Sequence, residues 1–195
     1  MKFSLSWLKD WLQTDASADD IVTTLIQLGH EVDAIENEAA AFENVVVGYV
    51  KERTQHPDAD RLGVCQVDIG HETKQIVCGA PNARAGITVA VALEGAVLPG
   101  DFEIKKSKIR GVESRGMICS AKELGLGDDH DGIMELDTDA KIGSPIAPVF
   151  NRTDIILDVA VTPNRGDALS IYGLARDLAA AGLGTLKSLP KLSRG

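Results

Sequence analysis

Between Glu103 and Arg115 the chain sets Lys105, Lys106, Lys108, Arg110 and Arg115 against only Glu103 and Glu113, a local balance of +3 in a chain of formal net charge −9. Ammonium and guanidinium groups crowded in this way suit one chemistry, the neutralisation of phosphate oxygens. The competing reading is a solvated edge strand that lysines protect from pairing, and charge alone leaves the two open. Short hydrogen-bonding groups lie at Ser114, Ser120 and Asn82. Asn82 and Arg84 share a Pro-Asn turn, where they either touch a ribose-phosphate backbone or shape the turn. Met117 offers either an apolar contact or core packing.

Catalysis finds no comparable set. His56, His71 and His130 are far apart in sequence, and no Ser or Cys has a base at a motif spacing. Cys65, Cys78 and Cys119 are an odd, scattered set without Cys-x-x-Cys, so neither a disulfide framework nor a zinc site is expected. Asp128-Asp129-His130-Asp131-Gly132 lacks the spacing and closing Glu of a calcium loop and reads as an acidic turn. The expectation is therefore no catalytic residue and no metal in this chain.

Composition narrows the partners. At 195 residues, with 44% hydrophobic and 25% charged side chains, the chain has the profile of one or two globular domains. Aromatics at 4% are too scarce for a broad base-stacking platform. The acidic total argues against non-specific duplex binding, so DNA is not expected and any nucleic-acid site must be local. There is no signal-peptide pattern and no apolar run long enough for a bilayer, which predicts a cytoplasmic protein with no membrane partner.

The elements that must carry these residues change character twice. In residues 1–39, Trp7, Leu8, Trp11 and Leu12 form one face of a short helix and read as core. Ser17 with Asp20 starts a second helix with Ile21, Leu25 and Leu28 inward, Gly29 stops it, and Glu31–Glu36 alternates as a strand. From 40 to 150 the pattern is short strands and glycine turns. Val45–Val50, Leu62–Ile69, Gln75–Cys78, Ile87–Val91 and the basic stretch with Phe102, Ile104 and Ile109 suggest a small closed barrel or a sandwich. On a regular basic strand, Lys106, Lys108 and Arg110 share a face and Lys105 points away. Ser120 and Glu123 have capping-box spacing and predict a helical turn ending at Gly125. In 151–190, Asp154–Val161 alternates as a strand. Asp167 or Ser170 caps a helix with Tyr172, Ala175, Leu178 and Ala179 on its apolar face. The tail from Leu186 shows no closing element, and 191–195 reads as the start of a linker. The fold class is thus α+β, a split α+β domain (1–39 plus 151–190) with an inserted all-β domain (40–150).

Three stretches of the insert carry a resemblance: His56-Pro57-Asp58-Ala59-Asp60-Arg61-Leu62, Ile76-Val77-Cys78-Gly79-Ala80-Pro81-Asn82, and Ser114-Arg115-Gly116-Met117-Ile118-Cys119-Ser120 with Glu123-Leu124-Gly125. In this order they resemble the tRNA-binding OB-fold domain appended to aminoacyl-tRNA synthetases, a five-stranded barrel. The outer pieces narrow the choice. Met1-Lys2-Phe3-Ser4 with Trp7-Leu8, Gly29-His30-Glu31-Val32, Thr162-Pro163-Asn164-Arg165 with Asp167, Leu169-Ser170, and Gly173-Leu174-Ala175-Arg176 resemble the beta subunits of bacterial phenylalanyl-tRNA synthetases.

That resemblance implies an N-terminal fragment of a much longer subunit. Its editing and anticodon-binding modules would lie elsewhere, and aminoacylation would occur in the alpha subunit of an alpha2-beta2 heterotetramer. ATP and magnesium are implied for the parent ligase and no cofactor for the fragment, which is expected to be inactive alone. tRNA is the implied partner, held through Lys105, Lys106, Lys108, Arg110, Arg115, Ser114, Ser120, Asn82, Arg84 and Met117. The alternative is an assembly module that docks within the synthetase and binds little RNA.

Overall fold

The computed structural model describes residues 1–189, and the chain divides into two units, Met1–Glu38 with the segment from Thr153 onward, and Ala39–Arg152. Pro190 and the expected linker start at 191–195 lie outside the described residues.

The first unit is built on a three-stranded antiparallel sheet in the order Lys2–Ser4, Ile155–Ala160, Glu31–Asn37. Its central strand is therefore the one that arrives last. Alternation sends Leu157 and Val159 into the core and turns Asp158 towards the N-terminal ammonium at 3.2 Å. Ser4 starts the helix Leu5–Trp11 by accepting the Trp7 N–H at 3.2 Å. The expected four-residue apolar face is only partly buried. Leu8 and Leu12, four apart, are sealed in the core, but Trp7 is 50% exposed. So short a helix packs along one row, and Trp7 stands a step of about 100° round from Leu8. Trp11 meets Tyr172 edge-on with ring centroids 5.6 Å apart.

Ser17 and Asp20 form a full capping box on helix Ala18–Gln27, Ile21 and Leu25 are buried, and Gly29 comes next at φ +87°. Helix Ile171–Ala180 is capped by Ser170, whose hydroxyl accepts the Gly173 N–H at 2.9 Å. Asp167, the other candidate cap, is instead held by Arg165 and Arg176. Asp177 receives the same two guanidiniums and buried His30 at 3.4 Å. A Cβ at Gly173 would stand 2.2 Å from the Asp167 carbonyl oxygen, so the helix and the turn before it meet only through glycine. The tail departs from expectation, because Thr185–Leu186 pairs with Leu12–Gln13 and closes that edge.

In the second unit five antiparallel strands pair in the order Met117–Ile118, Thr88–Ala92, Val45–His56, Ala59–Asp68, Thr73–Cys78. The sheet is not closed by a continuous ladder. Met117–Ile118 is too short, and the residues just before it reach the far edge through an Arg115 N–H to Gln75 C=O bond of 2.9 Å and side-chain bonds of Ser114 and Gln75 rather than a ladder. Nor is one face of the sheet simply outside. Strand Thr88–Ala92 sends Val89 and Val91 into a cluster with Cys65, Val67, Ile76 and Ile118, while Ala90 and Ala92 enter another with Phe42, Leu98, Ile104, Leu124 and Ile146. Small alanines on that second side let the connecting segments lie close. The architecture is thus mixed α/β and mostly sheet.

Candidate nucleic-acid interface

The basic stretch does not form the regular strand that alternation predicts. It breaks into Phe102–Glu103, Ser107–Ile109, Val112–Ser114 and Met117–Ile118. Ile104 is the reason. Its side chain is buried, its N–H bonds the Ala96 carbonyl at 2.8 Å, and its carbonyl accepts from Gly95 at 2.8 Å, so the backbone is committed inward there. Phe102, read as alternating in step with Ile104, is 56% exposed while Ile104 is buried. Lys105 and Lys106 fall between strands, so the single face predicted for Lys106, Lys108 and Arg110 does not exist.

Beyond Lys106 the chain forms a two-stranded hairpin with Ser107 opposite Ser114, Lys108 opposite Glu113 and Ile109 opposite Val112. Arg110 and Gly111 make the turn at φ +46° and +86°. The side chains of the stretch then separate into two groups. Lys105 pairs with Glu103 at 2.7 Å, Lys106 with Glu113 at 2.9 Å, and Arg115 with Glu94 at 3.1 Å. The hydrogen bond from Lys106 holds the Glu113 carboxyl below the usual carboxylate range, with Lys106, Arg115 and Lys108 adding their charge. Lys108 and Arg110 are exposed and have no carboxylate within 4.0 Å among the described residues.

The other expected contacts are built into the fold. Asn82 donates to the Ile133 carbonyl at 2.8 Å and accepts the Ile133 N–H at 3.0 Å, which ties its turn to a distant segment. Arg84 makes a two-pronged pair with Glu135, at 2.6 and 2.7 Å. Buried Ser114 accepts the Val77 N–H at 3.1 Å and donates to Gly116 at 3.2 Å. Buried Ser120 and Glu123 form the capping box, with Ser120 N–H to Glu123 at 2.6 Å, but the chain makes only turns before Gly125. Met117 is half-buried and borders a cleft of about 330 Å³ with Cys78, Pro81, Glu123 and His130. Carboxylates at that cleft make it a poor place for phosphate.

Two residues that sequence reasoning passed over bear on the site. His56, weighed there as an isolated histidine and as part of a motif, is 2% exposed and reaches the hairpin. Arg53 lies across the neighbouring strand, where a Cβ at Gly63 would stand 2.5 Å from its Nε, and that Nε is buried without a hydrogen-bond partner. A glycine two residues after Arg61, opposite the Arg53 strand, was the available signal. The cysteines offer no reactive thiolate, since burial pushes the Cys65 thiol up to about 11 and the Cys119 thiol up to about 12.

The family profile described as tRNA binding domain matches residues 45–145, the greater part of the second unit. Among curated proteins, the phenylalanine–tRNA ligase beta subunit of Rhodospirillum rubrum is 56% identical across 97% of this chain and 24% of its own length. That of Pseudomonas putida is 52% identical across 92% of the chain and 23% of its own, and that of Ruegeria pomeroyi 52% across 96% and 24%. The chain spans about a quarter of the length of these relatives. Among solved structures, a MetRS related protein from Pyrococcus horikoshii is 24% identical with a TM-score of 0.40, covering 52% of this chain and 86% of its own. The C-terminal domain of Plasmodium vivax p43 is also 24% identical, with a TM-score of 0.39, covering 52% and 58%. Scores this low fix nothing about the fold.

Proposed function

The chain belongs to the tRNA binding domain family, and from that premise we propose that it is the tRNA-holding N-terminal portion of a phenylalanine–tRNA ligase beta subunit. The observation that carries the reading is the placement of the family match on the unit that holds Lys108 and Arg110, exposed and unpaired among the described residues. We read its five-stranded sheet as the OB-type barrel of such domains. Strand order and the Arg115–Gln75 bond near the open edges support this.

In this reading the unit holds tRNA by phosphate and shape, which carry little sequence information. Binding here positions tRNA for aminoacylation elsewhere in the enzyme. ATP and magnesium then act in the parent ligase, on its alpha subunit, and this chain has no chemical step of its own. The setting proposed is the cytoplasm. Of the ten residues expected to contact tRNA, Lys108 and Arg110 stand free to do so. Asn82, Arg84, Ser114 and Ser120 would act by shaping the unit.

A second reading is favoured by one feature of the first unit, which leaves Trp7, Ile26, Ile35 and Leu169 exposed. It makes the chain an assembly module that docks these groups on other parts of the synthetase.

A mobility-shift titration of the chain with a tRNA-Phe transcript at 50 and 200 mM salt separates the two. Two to three neutralised phosphates predict a slope of about −2 in log K against log salt. Absence of any shift at 50 mM with micromolar chain would remove the tRNA reading and leave assembly.

A further inference from the structure

The Arg110–Gly111 turn is a two-residue hairpin loop with φ positive at both positions, the geometry that strongly prefers Asn or Asp followed by Gly. Four described residues other than glycine adopt positive φ, and three of them, Asn44, Asp101 and Asn151, are the types that tolerate it. Arg110 is the exception. A long side chain held in the left-handed region costs free energy, and such strain persists where the surrounding structure enforces it. Here the surroundings do enforce it.

His56 Nδ1 accepts the Asp58 N–H at 3.1 Å, which leaves the ring proton on Nε2. Nε2 then donates to the Ile109 carbonyl at 3.1 Å. Ile109 is the residue between Lys108 and Arg110. One buried imidazole therefore fixes the backbone that carries the two unpaired cations of the basic stretch to the turn between the two longest strands of the sheet. On the other strand of the hairpin, Ser114 anchors to Val77, and Gln75 donates to the Glu113 carbonyl at 2.8 Å. Glu113, which lies opposite Lys108, is taken up by Lys106.

We propose that Lys108 and Arg110 form a rigid phosphate-binding tip, with His56 as the positioning residue that holds it and the strained turn as the cost of placing a guanidinium there. The ligand class is the phosphate backbone of folded RNA, and the proposal rests on the tRNA reading above.

The test measures Kd and salt slope for a tRNA-Phe transcript, together with thermal melting, on the 195-residue chain. Arg110→Asn relieves the turn and removes the cation. It should raise the melting temperature by about 2 °C, weaken binding about tenfold and reduce the slope by about 0.7–0.9. Lys108→Ala should cost a similar part of the slope without the gain in melting temperature. His56→Ala should lose both increments of slope, and His56→Gln, which keeps an N–H donor, should restore part of them. Should His56→Ala not fold, the Arg110→Asn result decides alone. Wild-type binding matched by Arg110→Asn in both Kd and slope overturns the tip and leaves the tRNA reading standing. Failure of the wild-type chain to bind at 50 mM overturns both, and points to a protein partner.

Discussion

Gly70 and Gly143 meet backbone to backbone. A Cβ at Gly143 would stand 2.3 Å from the Ile69 carbonyl oxygen, and one at Gly70 would stand 2.5 Å from that of Ile142. Both have positive φ, +91° at Gly70 and +86° at Gly143, and the Gly143 N–H bonds the Val47 carbonyl at 2.7 Å. Gly143→Ala should therefore destabilise the second unit by about 2 kcal/mol or more. Gly86→Ala is the matched control, since Gly86 has φ +89° but nothing within 4 Å of its would-be Cβ. It should cost only about 1 kcal/mol, from backbone strain. Urea midpoints of the two variants measure the difference, and equal shifts would refute the close approach as the cause.

Stability of the first unit should fall in strong acid through Asp167. Hydrogen bonds from Arg165 first, then Arg176, outweigh desolvation and hold its carboxyl down at about 2. A carboxylate whose folded pKa lies below its unfolded value adds stability above the unfolded value, about 3.9, and loses it as pH falls towards the folded one. The expected window is therefore between about pH 4 and pH 2. Asp167→Asn should flatten that part of the stability profile followed by circular dichroism. An unchanged profile would show that the pairs with Arg165 and Arg176 do not persist in solution.

All three thiols should be silent to Ellman's reagent at pH 8 while the chain is folded. Burial raises the thiols of Cys65, Cys78 and Cys119 and excludes the reagent as well. Rapid labelling should appear only in denaturant, at three thiols per chain. Immediate labelling of one thiol in native buffer would contradict the packing around it.

Lys105→Ala should change tRNA affinity less than threefold and stability by no more than about 0.5 kcal/mol. Its ammonium is exposed and already paired with Glu103 at 2.7 Å. A loss as large as that of Arg110→Asn would mean that the stretch acts by summed charge rather than through its tip.

Local signals were legible in the order of residues because they act over a few positions. Ser17 with Asp20, Ser170 three before Gly173, and Gly29 after an apolar helix face each satisfy backbone groups within one turn, and the chain forms those caps. The alternation of Cys65, Val67 and Ile69 against Val64, Gln66 and Asp68 likewise determined which face of that strand is buried. The likeness of the insert to tRNA-binding domains was also carried by short motifs. Which cation stays free was not legible. Glu94 and Glu135 neutralise Arg115 and Arg84 across 21 and 51 positions, and no spacing along the chain announces such pairs. Buried Ile104 interrupts a strand that alternation alone would continue, because its backbone bonds go to Gly95 and Ala96. His56 and Ile109, 53 positions apart, touch only once the sheet has formed. Side-chain neutralisation and the pinning of a hairpin depend on contacts between distant segments, so only the tertiary structure could reduce ten candidate residues to an exposed pair at one turn.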